Sequence, residues 1–304
     1  MAQDQPLNIL RTPEQRFEDL AAPLYPPRYV EVDNLRIHYV DEGSPSQDPV
    51  LLLHGEPTWS YLYRHMLPVF VEQGYRAVAP DLVGFGRSDK PAEQRDYTYQ
   101  RHVDWMTRWL EAVDLRNITL VCQDWGSLIG LRLAAEQPDR FSRIVLANGG
   151  LPTGNRPGPM AFRLWQLFAR TSPWFPISRI VAAGCRSRLS PEAVAAYEAP
   201  FPGRRYKQGA RAFPALVPTR PDDPAAPANR RAWEVLQQWE KPFLTAFSDG
   251  DPITAGWRDR FLEEIPGAQN QPHAIIQGAG HFLQEQKGEE WTRLIIEFMG
   301  ANPI

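Results

Sequence analysis

Short apolar runs alternate with stretches of helical periodicity along most of this chain. Residues 28–32 and 36–40 alternate apolar and polar positions about Asp33-Asn34, which predicts a hairpin. Residues 50–53 form an apolar run ending in His54-Gly55, the pattern of a buried strand opening onto a loop. The spacing then predicts a helix over 60–73, a strand over 76–79 and a helix over about 99–113. A strand over 118–123, a helix over 127–137 and a strand over 143–148 follow. Such alternation predicts an α/β fold: a mostly parallel central sheet with helices on both faces.

The grammar changes at Leu151. Residues 151–229 are rich in Pro, Arg and aromatics, with broken helical segments and no convincing strand. Pro214, Pro218, Pro221, Pro224 and Pro227 read as a stiff, looped return. Strand and helix patterns then resume at 242–247, 254–264, 273–277 and 289–299. The expectation is a core domain from 1–150 and 230–304, with a helical cap domain over 151–229. A cap inserted between two strands would lie over their carboxyl ends, where α/β proteins bind ligands.

Composition removes several alternatives. A chain of 304 residues has ample material for a buried core. Net charge of −3 and pI near 6.1 give no electrostatic case for nucleic acid or an anionic membrane as partner. No apolar run approaches a membrane span, and the first residues lack the layout of a secretory signal. The only cysteines are Cys122 and Cys185, so a disulfide framework is not expected and a reducing cytoplasm fits. There is no metal-ligand spacing and no phosphate-binding loop. Nothing in the pattern demands a partner subunit, and a monomer is expected.

The most informative stretch is Ile118-Thr-Leu-Val-Cys-Gln-Asp124-Trp125-Gly126, where an apolar strand runs straight into an acid and a helix pattern begins just after it. This matches the strand-turn-helix elbow of α/β-hydrolases, whose nucleophile sits on a sharp turn between small residues, here Cys122 and Gly126. A serine there suits acyl transfer. A carboxylate suits displacement at carbon, leaving an alkyl ester on the enzyme. The alternative is an aspartate that merely caps the next helix.

Two further features fall at strand ends. Asp251 follows a strand in Ser248-Asp-Gly-Asp-Pro252, and His281 follows the next in Gly278-Ala-Gly-His-Phe282. Nucleophile, acid, histidine is the chain order of α/β-hydrolases. Asp251 is preferred to Asp249 because it lies further into the loop and precedes a proline, whereas Asp249 could cap a turn. His54 more plausibly braces its loop, and His102 is also the weaker base. The acid would fix the tautomer of His281 and stabilise its imidazolium. The loop His54-Gly-Glu-Pro-Thr-Trp59 falls where hydrolases place one oxyanion donor, so the backbone N–H groups of Glu56 and Trp125 are the expected pair.

The motifs HGEPTWSYLYR, PDLVGFGRSDKP, ITLVCQDWGS, DGDP and GAGHF resemble those of haloalkane dehalogenases, from about Arg28 to the last helix. The likeness is strongest to the subfamily whose acid follows the strand after the cap. In a second subfamily a glutamate follows the strand before the cap, and here that strand ends Leu146-Ala-Asn148. The resemblance implies a triad of Asp124, His281 and Asp251 without metal or organic cofactor. A halogenated alkane and water would be the substrates, and a halide ion would be a product. It also implies two indole N–H donors for the halide. Trp125 matches the first, and Trp165, in Phe162-Arg-Leu-Trp165, the second, with Trp174 as rival. An indole N–H donates without accepting, which suits an anion in a dry pocket.

Two other functions compete. An epoxide hydrolase also uses an elbow aspartate, but its alkoxide leaving group needs a proton from two cap tyrosines. Tyr197 and Tyr206 are the candidates here, and their surroundings, AYEAPFP and RRYKQGARAFP, resemble the dehalogenase cap instead. A non-catalytic binding protein of the same fold is the third reading, since fold does not fix function.

Overall fold

The protein is described here from a computed structural model covering residues 7–20 and 25–304. Eight strands form the central sheet: β1 (Arg28–Val32), β2 (Leu35–Glu42), β3 (Pro49–Leu53), β4 (Arg76–Pro80), β5 (Ile118–Gln123), β6 (Phe141–Ala147), β7 (Phe243–Ser248) and β8 (Ala274–Ile276). Their spatial order is β8-β7-β6-β5-β3-β4-β2-β1. β1 and β2 are antiparallel, as are β2 and β4, and every other neighbouring pair is parallel. Asp33 and Asn34 both take positive φ, as a two-residue hairpin turn requires.

The central strands read as unbroken apolar runs because both their faces are covered. Leu51, Leu53, Leu120 and Cys122 point into one core cluster, whereas Val50, Leu52 and Val121 point into the other. That alternation is the pleat of the sheet. All four strand ends β3, β5, β7 and β8 therefore deliver their following loops to one edge of the sheet.

Some elements depart from the pattern-based expectation. The helix expected over 60–73 divides into a 3-10 turn at Ser60–Tyr63 and a helix at Leu67–Glu72, with Pro68 in its first turn. The last helix begins at Leu283, before the amphipathic stretch read from sequence, and bends at Lys287. Pro214 lies inside the helix Gln208–Leu216 and Pro227 in the first turn of the helix Ala226–Leu236, so the expected looped return narrows to residues 217–225, which hold Pro218, Pro221 and Pro224. A two-stranded sheet, Ile9–Leu10 with Lys90–Pro91, was not evident in the pattern because its strands are only two residues long.

Between β6 and β7 the described chain is helical, with no strand: Met160–Thr171, Ile177–Ala183, Pro191–Glu198, Gln208–Leu216 and Ala226–Leu236. The expected boundary at 229/230 falls within the last of these helices. That helix packs on the helix Trp125–Glu136, where Arg132 Nη1 donates to Asn229 Oδ1 at 3.1 Å.

Candidate active site

Asp124 terminates β5 with φ 51° and ψ −128°, a conformation that non-glycine residues adopt only under constraint. The turn is crowded on both sides. A Cβ on Gly126 would lie 1.9 Å from the carbonyl oxygen of Leu53, and one on Gly55 would lie 2.3 Å from Asp124 Oδ1. Glycine at both positions thus lets the elbow close against the β3 loop. The turn is fastened by Asp124 N–H donating to Asn148 O at 3.0 Å, and by Ser127 N–H donating to Asp124 O at 2.9 Å.

Of the two expected oxyanion donors, the Glu56 N–H reaches Asp124 Oδ1 at 2.7 Å. Trp125 is the first residue of the elbow helix, where backbone N–H groups lie outside the helical ladder. Among the described residues it makes no bond to the Asp124 carboxylate. The Glu56 side chain is buried and its Oε1 has no partner among the described residues. Burial, and then the charge of Asp124, push its pKa well above the usual carboxylate range.

His281 lies between two carboxylates. Its Nε2 is 3.3 Å from Asp124 Oδ2, and its Nδ1 is 2.9 Å from Asp251 Oδ2. Burial opposes a charge on the ring, but Asp251 and Asp124 outweigh it and hold the pKa at about 10. Asp251 also accepts from Ile253 N–H at 2.9 Å and from the Thr254 hydroxyl. Burial would raise its pKa, yet His281 and these two donors keep it at about 2.

The rivals lie elsewhere. Asp249 accepts twice from Arg186 Nη1 at 3.1 Å, and once from the Gly278 N–H at 3.0 Å. His54 accepts at Nε2 from Leu82 N–H and donates from Nδ1 to Gly55 O, both at 2.9 Å. It therefore braces the loop, and burial lowers its pKa. His102 is buried without a hydrogen-bond partner among the described residues, and burial takes its pKa down to about 3.

Trp125 is 3% exposed, edge-on to Tyr99 and tilted against Phe213 at 4.2 Å between centroids. Trp165 is half-buried in the insertion, stacked on Phe168 at 5.6 Å and tilted toward Phe175 at 5.7 Å, packed against the same apolar cluster as Trp125. Trp174 is 57% exposed beneath the Arg179 guanidinium, so the rival faces solvent. The Tyr197 hydroxyl donates to Glu285 at 2.6 Å.

Two polar residues at this edge escaped the sequence reading. Asn148 ties three strand ends together: its Nδ2 donates to Ser248 Oγ, Gly280 O and His281 O at 2.9–3.0 Å. Gln123 is fully buried, with Nε2 3.1 Å from both the His281 carbonyl oxygen and His281 Nε2. In each case the signal was one amide following the apolar run at the end of a strand. Among the described residues no group of side chains has the makings of a metal site.

A family model for the α/β-hydrolase fold matches residues 48–288. The haloalkane dehalogenase of Psychrobacter cryohalolentis is 53% identical over 303 residues, covering 98% of this chain and 100% of that protein. The chain belongs to the haloalkane dehalogenases. The family's protein from Mycolicibacterium paratuberculosis is likewise 53% identical, over 97% of this chain and 99% of its own. Among solved structures, the tetrameric haloalkane dehalogenase DpaA of Paraglaciecola agarilytica superposes with a TM-score of 0.88 at 38% identity, covering 94% of this chain and 97% of that one. The haloalkane dehalogenase DatA of Agrobacterium tumefaciens gives 0.79 at 26% identity, covering 96% and 100%. The expected α/β-hydrolase architecture is the one these relatives share. No helix among the described residues is long and apolar enough to cross a membrane.

Proposed function

We propose that the protein hydrolyses haloalkanes to an alcohol and a halide in two steps centred on Asp124. The observation that carries this reading is His281 held between the elbow carboxylate and Asp251. In the first step an Asp124 carboxylate oxygen bonds the halogen-bearing carbon, and the carbon–halogen electron pair leaves as halide. Asp124 becomes a neutral ester. His281 then faces one carboxylate rather than two, its affinity for a proton falls, and it releases that proton to solvent.

In the second step water gives a proton to the neutral His281 while its oxygen bonds the Asp124 carboxyl carbon. The Glu56 N–H, already 2.7 Å from Oδ1, stabilises the resulting oxyanion together with the Trp125 N–H. Collapse breaks the ester bond, and the departing alkoxide takes the proton of the carboxyl it leaves behind. One proton has been released overall, as haloalkane plus water going to alcohol, halide and proton requires.

Trp125 and Trp165 donate their indole N–H groups to the leaving halide in this reading. Trp165 is favoured over Trp174 because it packs inward. An epoxide hydrolase would need the Tyr197 and Tyr206 phenols as a pair at the leaving group, and the Tyr197 hydroxyl is already committed to Glu285. The cap proposed to cover the site runs from 151 to about the start of the helix Ala226–Leu236, which we assign to the core. The two cysteines are free, in keeping with the cytoplasm. Light scattering decides between the monomer and an assembly of the kind reported for DpaA. Met160, Leu164 and Leu167 are exposed apolar residues on the helix Met160–Thr171.

A single turnover of 1,2-dibromoethane in oxygen-18 water tests the mechanism. The label is expected in the Asp124 carboxylate, and label confined to the alcohol would refute the ester intermediate.

A further inference from the structure

We propose that Gln123 is a positioning residue for the second step, its side-chain amide holding His281 as the neutral tautomer that takes a proton from water. The proposal rests on the two-step reading above. Gln123 closes β5 immediately before the nucleophile and is fully buried. The orientation of its amide is fixed by chemistry. The His281 carbonyl oxygen can only accept, so the amide end 3.1 Å from it is the NH2 group. The amide oxygen, at the other end, lies 3.5 Å from Gln284 Nε2.

That same NH2 group lies 3.1 Å from His281 Nε2. The contact means different things in the two protonation states. With Asp124 ionised, Nε2 carries a proton directed at Asp124 Oδ2, 3.3 Å away, and the amide N–H meets another N–H. No bond forms there. Once Asp124 is an ester and His281 has lost a proton, Nε2 is a bare lone pair, and the amide donates to it until the attacking water takes its place. Asp251, on the opposite side, keeps the remaining proton on Nδ1. The charged or titratable groups facing the ring are Asp124 from the elbow, Asp251 from the β7 loop and Glu56 from the β3 loop. Of these, Asp124 alone changes charge during the proposed cycle. Gln123 supplies the complementary change in hydrogen bonding.

Both effects favour the same state. The lost carboxylate charge weakens the imidazolium, and the amide stabilises the neutral ring until water displaces it. The contact with Nε2 also limits ring rotation while Nε2 has no anionic partner.

Gln123→Met keeps the length of the side chain and removes the donor. Halide release and ester hydrolysis are measured separately by rapid quench and intact mass with 1,2-dibromoethane across pH 5–10. The halide burst should stay within about twofold of the parent rate. The acid limb of ester hydrolysis should move up by about half a pH unit to one unit, the range of one neutral hydrogen bond, while the rate above the limb should not fall, because water no longer has to displace the amide. Equal slowing of both steps with an unmoved limb would overturn the proposal, since that is what a merely structural amide predicts. If Gln123→Met does not fold, Gln284→Met removes only the donor at the far end of the amide and should move the limb the same way by less. An unmoved limb there also overturns it. Failure of the underlying mechanism looks different: no alkyl-enzyme mass would accumulate in His281→Gln.

Discussion

The β-sheet edge and the helical insertion hold their candidate groups by different means. At the sheet edge nearly every polar atom is fastened. Asp251 accepts from three donors, His281 is gripped at both nitrogens, and Asn148 ties the strand ends beneath them. In the insertion, Trp165 is held by ring packing on Phe168 and Phe175. Directional hydrogen bonds fix atoms within a few tenths of an ångström, whereas stacked rings tolerate sliding. The difference fits the tasks proposed for each. Bond formation at carbon and proton transfer demand alignment, and anion binding tolerates a range of halide radii.

The sharpest way to break this contrast is to remove groups from each region and compare losses. Asp124→Ala should abolish halide release, a loss of at least about 10⁴-fold, because no other group at the edge is placed to attack carbon. Residual turnover above a hundredth of the parent rate would move the chemistry elsewhere. Asp251→Asn should leave the halide burst but slow ester hydrolysis by about 10³- to 10⁴-fold, through the wrong tautomer of His281. Asp249→Asn should cost no more than a few-fold, since its carboxylate faces Arg186. The reverse ranking would make Asp249 the acid.

The same contrast explains what could be read from the sequence. The elbow, the acid loop and the histidine loop were legible because each is a short polar signal at the end of an apolar strand. That Asp251 rather than Asp249 faces His281 was also legible, as proline and loop depth both favoured it. Asn148 and Gln123 were not, because an amide earns its role through three-dimensional neighbours that are 100 to 158 residues away. Cap geometry was the least legible part. Its helices are held by inter-element packing, and prolines that read as loop, such as Pro214 and Pro227, are accommodated inside or at the start of helices.

A milder test sharpens the insertion side. Trp165→Phe keeps the ring stack and deletes one N–H, so carbon–halogen cleavage should slow by about 10- to 150-fold, equivalent to about 1.5 to 3 kcal/mol for a hydrogen bond to a charge. Bromide quenching of tryptophan fluorescence should weaken in parallel. Trp174→Phe should change neither, because that ring is exposed. Equal effects from both would mean that the insertion closes differently over substrate.

The smallest effect is thermodynamic and separates the regions by pH. Folded His281 has a pKa raised from 6.5 to about 10, so above pH 6.5 the folded protein binds a proton that the unfolded chain has released. The stability this contributes is fully present below about pH 6.5 and is lost as pH rises through about 10. Asp251 acts oppositely: with its pKa lowered to about 2, its contribution is present above about pH 4 and lost as pH falls through 2. Thermal melts of the resting enzyme should therefore decline from neutral to alkaline pH more steeply than those of His281→Gln, by a slope approaching one proton. Trp165→Phe, which touches only the insertion, should shift the melts without changing that slope. If His281→Gln declines as steeply as the parent, the imidazole is not held charged between the two carboxylates at rest, and the proton release proposed on alkylation has no source.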